Sequence, residues 1–179
     1  MNTGTIAIYS FGPFEPVFLG QLAETVAREF RLPVSVKEGY LDLSDFFDPG
    51  RRQYEGNSLL RVIQERYAEQ SLKTIGLFNV DLFIPILTYI FGQAFLNGTT
   101  GIASVYRLSN ERYGLRKDDE LLLQRCKKEV IHELGHTFGL FHCHVPACVM
   151  ESSTYVEEID QKGTGFCPKC SEQLSLGKI

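Results

Sequence analysis

All four histidines of this 179-residue chain fall between positions 132 and 144, and four of its five cysteines follow between 143 and 170. No other feature limits the fold as much. Side chains that ligate a metal must converge on one point, and a run this dense implies two such points. The first is set by helix geometry. Residues four apart on an α-helix share a face, with Cβ atoms about 5–6 Å apart. His132 and His136 can therefore reach one ion from a single helix, and Glu133 can reach a water beside it without ligating. This is the logic of the HExxH motif, in which two histidines hold zinc and the glutamate is the general base. His142 is the third ligand only if the helix ends before it. Gly139 is placed to end it, because glycine tolerates the left-handed backbone found just past helix C-termini.

The second point is thiolate. Cys143 and Cys148 are separated by four residues, Cys167 and Cys170 by two, and eighteen residues join the pairs. Structural Cys₄ zinc sites use pairs spaced this way, and four thiolates leave no open position. Two disulfides or four free thiols are the alternatives; a chain without an export signal disfavours the first. The fifth cysteine, Cys126, lies on an apolar helical stripe and reads as a small core residue.

The motifs together, HExxHxxGxxHC, then Cx₄CxM ending at Met150, then CxxC, resemble those of the archaemetzincins, a branch of the metzincin zinc peptidases. Residues 48–54 and the stretches 81–85 and 91–94 are also similar to that family. The interval from Met150 to Cys167 is one residue shorter than the family's pattern. The resemblance implies an α/β (α+β) fold. It comprises a mixed, twisted sheet with an active-site helix, followed by a small irregular C-terminal subdomain stapled by the Cys₄ zinc. It also implies a Met-turn at Met150 as an apolar floor to the metal. The edge strand of the sheet, here around residues 91–95, would bind an extended peptide by β-augmentation.

The expected organisation is one metallopeptidase domain over 1–179, with a sheet-and-helix part to 139 and the C-terminal part from 140. Strands are expected at 5–10, 32–36 and 73–79, and a hairpin of 91–96 with 102–108 around a Gly-rich loop. Helices are expected at 15–30 and 57–71, and a long one capped by Asp118 runs to Phe138. Residues 41–54 read as a polar loop or lid, and regular structure should be scarce beyond 139.

A 44% apolar and 22% charged composition is ordinary for a soluble globular chain. The formal charge of −4, unchanged by four thiolates and two Zn²⁺, argues against nucleic acid. No apolar run reaches transmembrane length, and residues 1–4 lack signal-peptide character, so a cytoplasmic protein without membrane contact is expected.

The functional expectation is a zinc peptidase, a monomer acting on peptides or small proteins. Its ligands would be His132, His136 and His142 for a catalytic zinc and Cys143, Cys148, Cys167 and Cys170 for a structural one. Glu133 would be the base. The rivals are a zinc-binding protein-interaction module with a sequestered or very narrow site, and a hydrolase of non-peptide amides. His144 reads as a cleft-rim residue or a substitute for His142. Tyr155 is a candidate to steady an oxyanion, and Arg51-Arg52 to meet a substrate carboxylate; each could equally be solvated surface.

Overall fold

The computed structural model describes residues 3–68 and 70–176. Readings that touched Met1, Asn2, Glu69 and 177–179 lie outside the described residues. The chain opens with β1 (Thr3–Ser10), α1 (Pro16–Phe30) and β2 (Val34–Glu38). A 3₁₀ turn at Ser44–Phe46 leads into β3 (Phe47–Asp48), β4 (Gln53–Glu55) and α2 (Gly56–Tyr67). Then come β5 (Ser71–Phe78), β6 (Leu82–Phe83), β7 (Gly92–Ala94) and β8 (Thr100–Ser104). Three helices finish the chain: α3 (Asp119–Thr137), α4 (Val156–Gln161) and α5 (Pro168–Leu176).

The main sheet has the order β2-β1-β5-β8-β7. Its first four strands are parallel, and β7 runs antiparallel along the edge beside β8. Strand residues alternate between faces, and the alternation separates two cores. Ile6, Ile8, Ile75, Leu77 and Ala103 pack with Leu22, Val26 and Phe30 of α1 and with Val130 and Leu134 of α3. Phe78 and Ile102 point the other way, onto Leu59, Leu60 and Ile63 of α2. Helices thus cover both faces, as parallel strands require.

Four local readings differ from expectation. The 41–54 stretch is not a plain loop: β3 and β4 join β6 in a second, three-stranded sheet. The second helix ends at Tyr67, because Ser71 already pairs with β1. β8 starts at Thr100 rather than 102, since Thr100 and Gly101 extend the parallel ladder to Thr74 and Ile75. It also ends at Ser104, where Tyr106–Leu108 wind into a 3₁₀ turn. Beyond 139, α4 and α5 stand in a region expected to be nearly bare of regular structure. α4 is pinned to α3: Arg125 forks onto Asp160 at 2.7 Å through two nitrogens, and Lys128 Nζ donates to the Ile159 carbonyl at 2.9 Å.

α3 is the element that positions the site. The Asp118 side chain accepts from the Leu121 N–H at 2.9 Å and caps it. Leu123, Cys126, Val130 and Leu134 form the expected buried stripe. At the far end Gly139 takes φ 89°, and its N–H and that of Leu140 close on the His136 and Gly135 carbonyls. The chain leaves the helix there and doubles back. No helix among the described residues is long and apolar enough to cross a membrane.

Candidate metal centres

The turn at Gly139 brings His142 to the two helical histidines. One nitrogen from each of His132, His136 and His142 lies within 4.8 Å of the others. His132 is buried, His136 half-buried and His142 exposed, so the group sits at the mouth of a cleft. The tautomers follow from the neighbours. His132 Nδ1 lies 2.9 Å from the Val149 carbonyl oxygen, and His136 Nδ1 lies 2.7 Å from that of Leu140. A carbonyl only accepts, so each Nδ1 carries the proton and each Nε2 a lone pair. The two Nε2 atoms face each other at 3.1 Å. Lone pairs so close repel, unless a cation lies between them. Nitrogens about 2.0–2.1 Å from a tetrahedral zinc would stand about 3.3 Å apart, so the donor set fits that ion. Burial holds all three imidazoles below their usual pKa, hence neutral and able to ligate.

Glu133 points into the same cleft. It is 5% exposed, and its Oε2 is buried without a hydrogen-bond partner. Burial, and then the neighbouring Glu129 carboxyl, push its proton affinity well above the usual carboxylate range.

The four cysteines converge separately, with sulfurs also within 4.8 Å of one another. Cys143 and Cys167 Sγ are 3.8 Å apart, far beyond the ~2.05 Å of a disulfide. That separation matches the ~3.8 Å edge of a tetrahedron with Zn–S of about 2.3 Å. Backbone N–H groups of Val145, Cys167 and Cys170 donate to the sulfurs of Cys143, Cys148 and Cys167. Such bonds favour thiolate, and the Cys170 N–H draws the Cys167 thiol down to about 7, whereas burial pushes those of Cys148 and Cys170 up. Pro168 opens α5 at a position where its missing N–H is harmless, which places Cys170 in the first turn. The two clusters share one strap. The Cys143 N–H donates to the Met150 carbonyl at 2.9 Å, while Val149 next to it orients His132. Met150 is fully buried, its sulfur packed on Gly135 of α3.

The cleft beside the histidines encloses about 470 Å³. One wall is the chain entering β7, residues 87–92, and the other is 152–155. Tyr89 ties the walls together: its hydroxyl donates to the Thr154 carbonyl at 2.7 Å. The Arg107 guanidinium lies 4.2 Å from the Tyr89 ring centroid and is itself held by Asp81. Glu129 and Lys162 line the cavity as well.

A model described as peptidase family M54 matches residues 25–176. The chain belongs to this family. It is 39% identical to the archaemetzincin of Thermococcus kodakarensis over 94% of both chains. It is 42% identical to that of Methanopyrus kandleri over 84% of this chain and 83% of the relative. The crystal structure of an archaemetzincin from Methanopyrus kandleri superposes with a TM-score of 0.85 at 32% identity, covering 97% of this chain and 94% of that one. A zinc-dependent peptidase from Methanocorpusculum labreanum superposes at 0.80 with 30% identity, covering 94% and 99%. The archaemetzincin resemblance and the mixed α/β architecture are thereby shown, and by family the chain is a zinc-dependent metallopeptidase.

The fold brings together His132, His136 and His142, and separately Cys143, Cys148, Cys167 and Cys170, the two sets read from the sequence. His144 stands outside the three-histidine group and is exposed. Cys126 is fully buried, and burial pushes its thiol far up, which makes it inert. Arg51 is engaged elsewhere: it lies over the Phe83 ring and donates to the Leu87 carbonyl at 3.0 Å, bracing a cleft wall. Tyr155 is 61% exposed on the opposite wall.

Sequence reasoning named Gly92 only as part of the 91–95 edge strand, without its contact to Glu133, and missed Tyr89, Glu129 and Lys162. Only Glu129 left a signal, four residues before Glu133 on the same helical face. Gly92 matters through close approach. A Cβ there would stand 2.7 Å from Glu133 Cγ and 2.7 Å from the Ile102 carbonyl oxygen. The second atom is backbone and cannot give way. Gly92→Ala is expected to destabilise the fold by about 1–3 kcal/mol, as overpacking does. It should also displace Glu133 and lower turnover while zinc content holds. Thermal unfolding, metal analysis and a peptide assay check this; unchanged turnover would separate Gly92 from the site.

Proposed function

We propose that this protein is a monomeric peptidase of one domain, acting on peptides or small proteins. His132, His136 and His142 hold a catalytic zinc, Glu133 is the general base, and Cys143, Cys148, Cys167 and Cys170 hold a structural zinc. The observation that carries this reading is the pair of bare Nε2 atoms at 3.1 Å, with a third imidazole and the Glu133 carboxyl converging on the same space. Zinc bound there supplies Lewis-acid polarisation of the scissile carbonyl and of the attacking water.

The remaining work falls to the chain. The Val149 and Leu140 carbonyls fix the His132 and His136 tautomers and aim Nε2 inward. Glu133 accepts the proton of the attacking water and delivers it to the leaving amine. β7 is the edge strand of the main sheet, paired there with β8, and Gly92 lies against Glu133, so an extended peptide can add along its outer side as a further strand. Support comes from the likeness to a solved zinc-dependent peptidase and to archaemetzincins.

The test is a broad peptide library presented to zinc-loaded protein, with metal content determined in parallel. Cleavage at two zincs per chain, lost on chelation and restored by zinc, is the expected result. Protein that holds both ions and cuts no peptide would overturn the reading.

A further inference from the structure

The cleft has a floor that the reaction does not use. Lys162 and Glu129 are 3% and 4% exposed, yet both face the cavity beside Glu133. Lys162 Nζ donates to the Glu151 carbonyl at 2.9 Å, which leaves two of its N–H bonds for the cavity. On the 152–155 wall, Ser153 Oγ is buried with no hydrogen-bond partner. The floor is also held in place. Lys162 follows α4 directly, and α4 is pinned to α3, the helix of Glu129, by the Arg125–Asp160 fork.

We propose that Lys162 and Glu129 select the substrate side chain that enters this cavity, and that it is a neutral carboxamide, glutamine or asparagine. The proposal rests on the peptidase reading above. An aliphatic side chain would drive water from a buried ammonium and a buried carboxylate and replace none of its hydrogen bonds. An acidic side chain could pair with Lys162 but would lie against Glu129, and a basic one could pair with Glu129 but would lie against Lys162, so each brings a like-charge contact that a neutral side chain avoids. A carboxamide offers its carbonyl to Lys162 and Ser153 and its N–H₂ to Glu129, and adds no net charge. Sites built to hydrogen-bond a substrate reject the analogue lacking the polar group far more strongly than apolar pockets reject a missing methylene.

The experiment uses one peptide frame with Gln, Asn, Glu, Lys or Leu on either side of the scissile bond, and wild type beside Lys162→Met. Wild type is expected to favour Gln over Leu in kcat/KM by on the order of 10–100-fold, the effect of leaving one buried polar group unpaired. Lys162→Met should reverse that order. A second readout needs no turnover: titration of N-acetylglutamine amide and N-acetylleucine amide, followed by NMR shifts of cleft residues. Here only the glutamine ligand should move Tyr89 and Ser153. If no peptide is cut but the glutamine ligand binds selectively, the peptidase reading fails and the pocket stands. Should Lys162→Met not fold, Glu129→Gln replaces it and is expected to raise acceptance of Glu relative to Gln by about tenfold. Equal or better use of Leu, Glu or Lys by wild type, equal binding of the two ligands, or a Gln preference indifferent to both variants would overturn the proposal.

Discussion

Glu133→Gln is expected to leave the protein folded, with both zincs bound, and to lower kcat by about 10²–10⁴-fold, the usual contribution of a general base. The substitution preserves shape in a place where shape is tightly set. Glu133 lies against Gly92, and a Cβ on Gly101 would be 3.5 Å from its own Cβ, so a side chain of equal volume keeps these contacts. What is lost is the capacity to accept a proton. Glu133 lies outside the histidine and cysteine clusters, so metal content should not change. Turnover and zinc stoichiometry measured on the same preparation decide the matter. Full activity in the glutamine variant would remove Glu133 from the reaction; loss of zinc would make it a ligand or a fold determinant instead.

The second large effect is expected at a distance from the chemistry. Cys170→Ala or Cys143→Ala should release the structural zinc and also lower occupancy of the catalytic one. Structural zinc contributes to folding directly, with apparent binding energies of about 10–16 kcal/mol in small zinc-finger domains. In the proposed two-zinc protein that contribution would pass along a short path. Cys143 is the residue after His142, and its N–H holds the Met150 carbonyl at 2.9 Å. Val149, which orients His132 at 2.9 Å, is in turn held through its N–H by Gly165 at 3.0 Å, two residues before Cys167. Freeing one corner of the thiolate tetrahedron would loosen both His142 and the Val149 carbonyl that orients His132. Metal analysis and thermal unfolding of the variants check this, and two zincs per chain in either variant would refute it.

The two donor sets were legible because local geometry governs them. The i, i+4 step of His132 and His136 needs only a helix, and Asp118 and Gly139 mark where that helix starts and stops. The short Cys143–Cys148 and Cys167–Cys170 spacings are likewise properties of single turns. The order of the main-sheet strands and the helices through β8 also followed from apolar periodicity and turn signals, with errors at the ends. Those errors have one origin: Thr100, Gly101 and Ser71 are strand residues only because a partner strand lies alongside. The same holds for the small β3-β4-β6 sheet, whose two- and three-residue strands carry no periodic signal of their own.

By itself, then, the sequence determined what the chain can ligate, on which helix, and where that helix must break. The tertiary structure decided what surrounds the ligands. It set Gly92 of an edge strand against Glu133, closed the cleft with Tyr89 on Thr154, and brought Lys162 beneath α3 to face Glu129. Each of these pairs residues at least thirty-three positions apart, from Glu129 to Lys162 upward. Helix periodicity and backbone dihedrals act within a turn or two and are written in neighbouring residues. Packing across elements depends on the position of the whole sheet, and no local pattern encodes it.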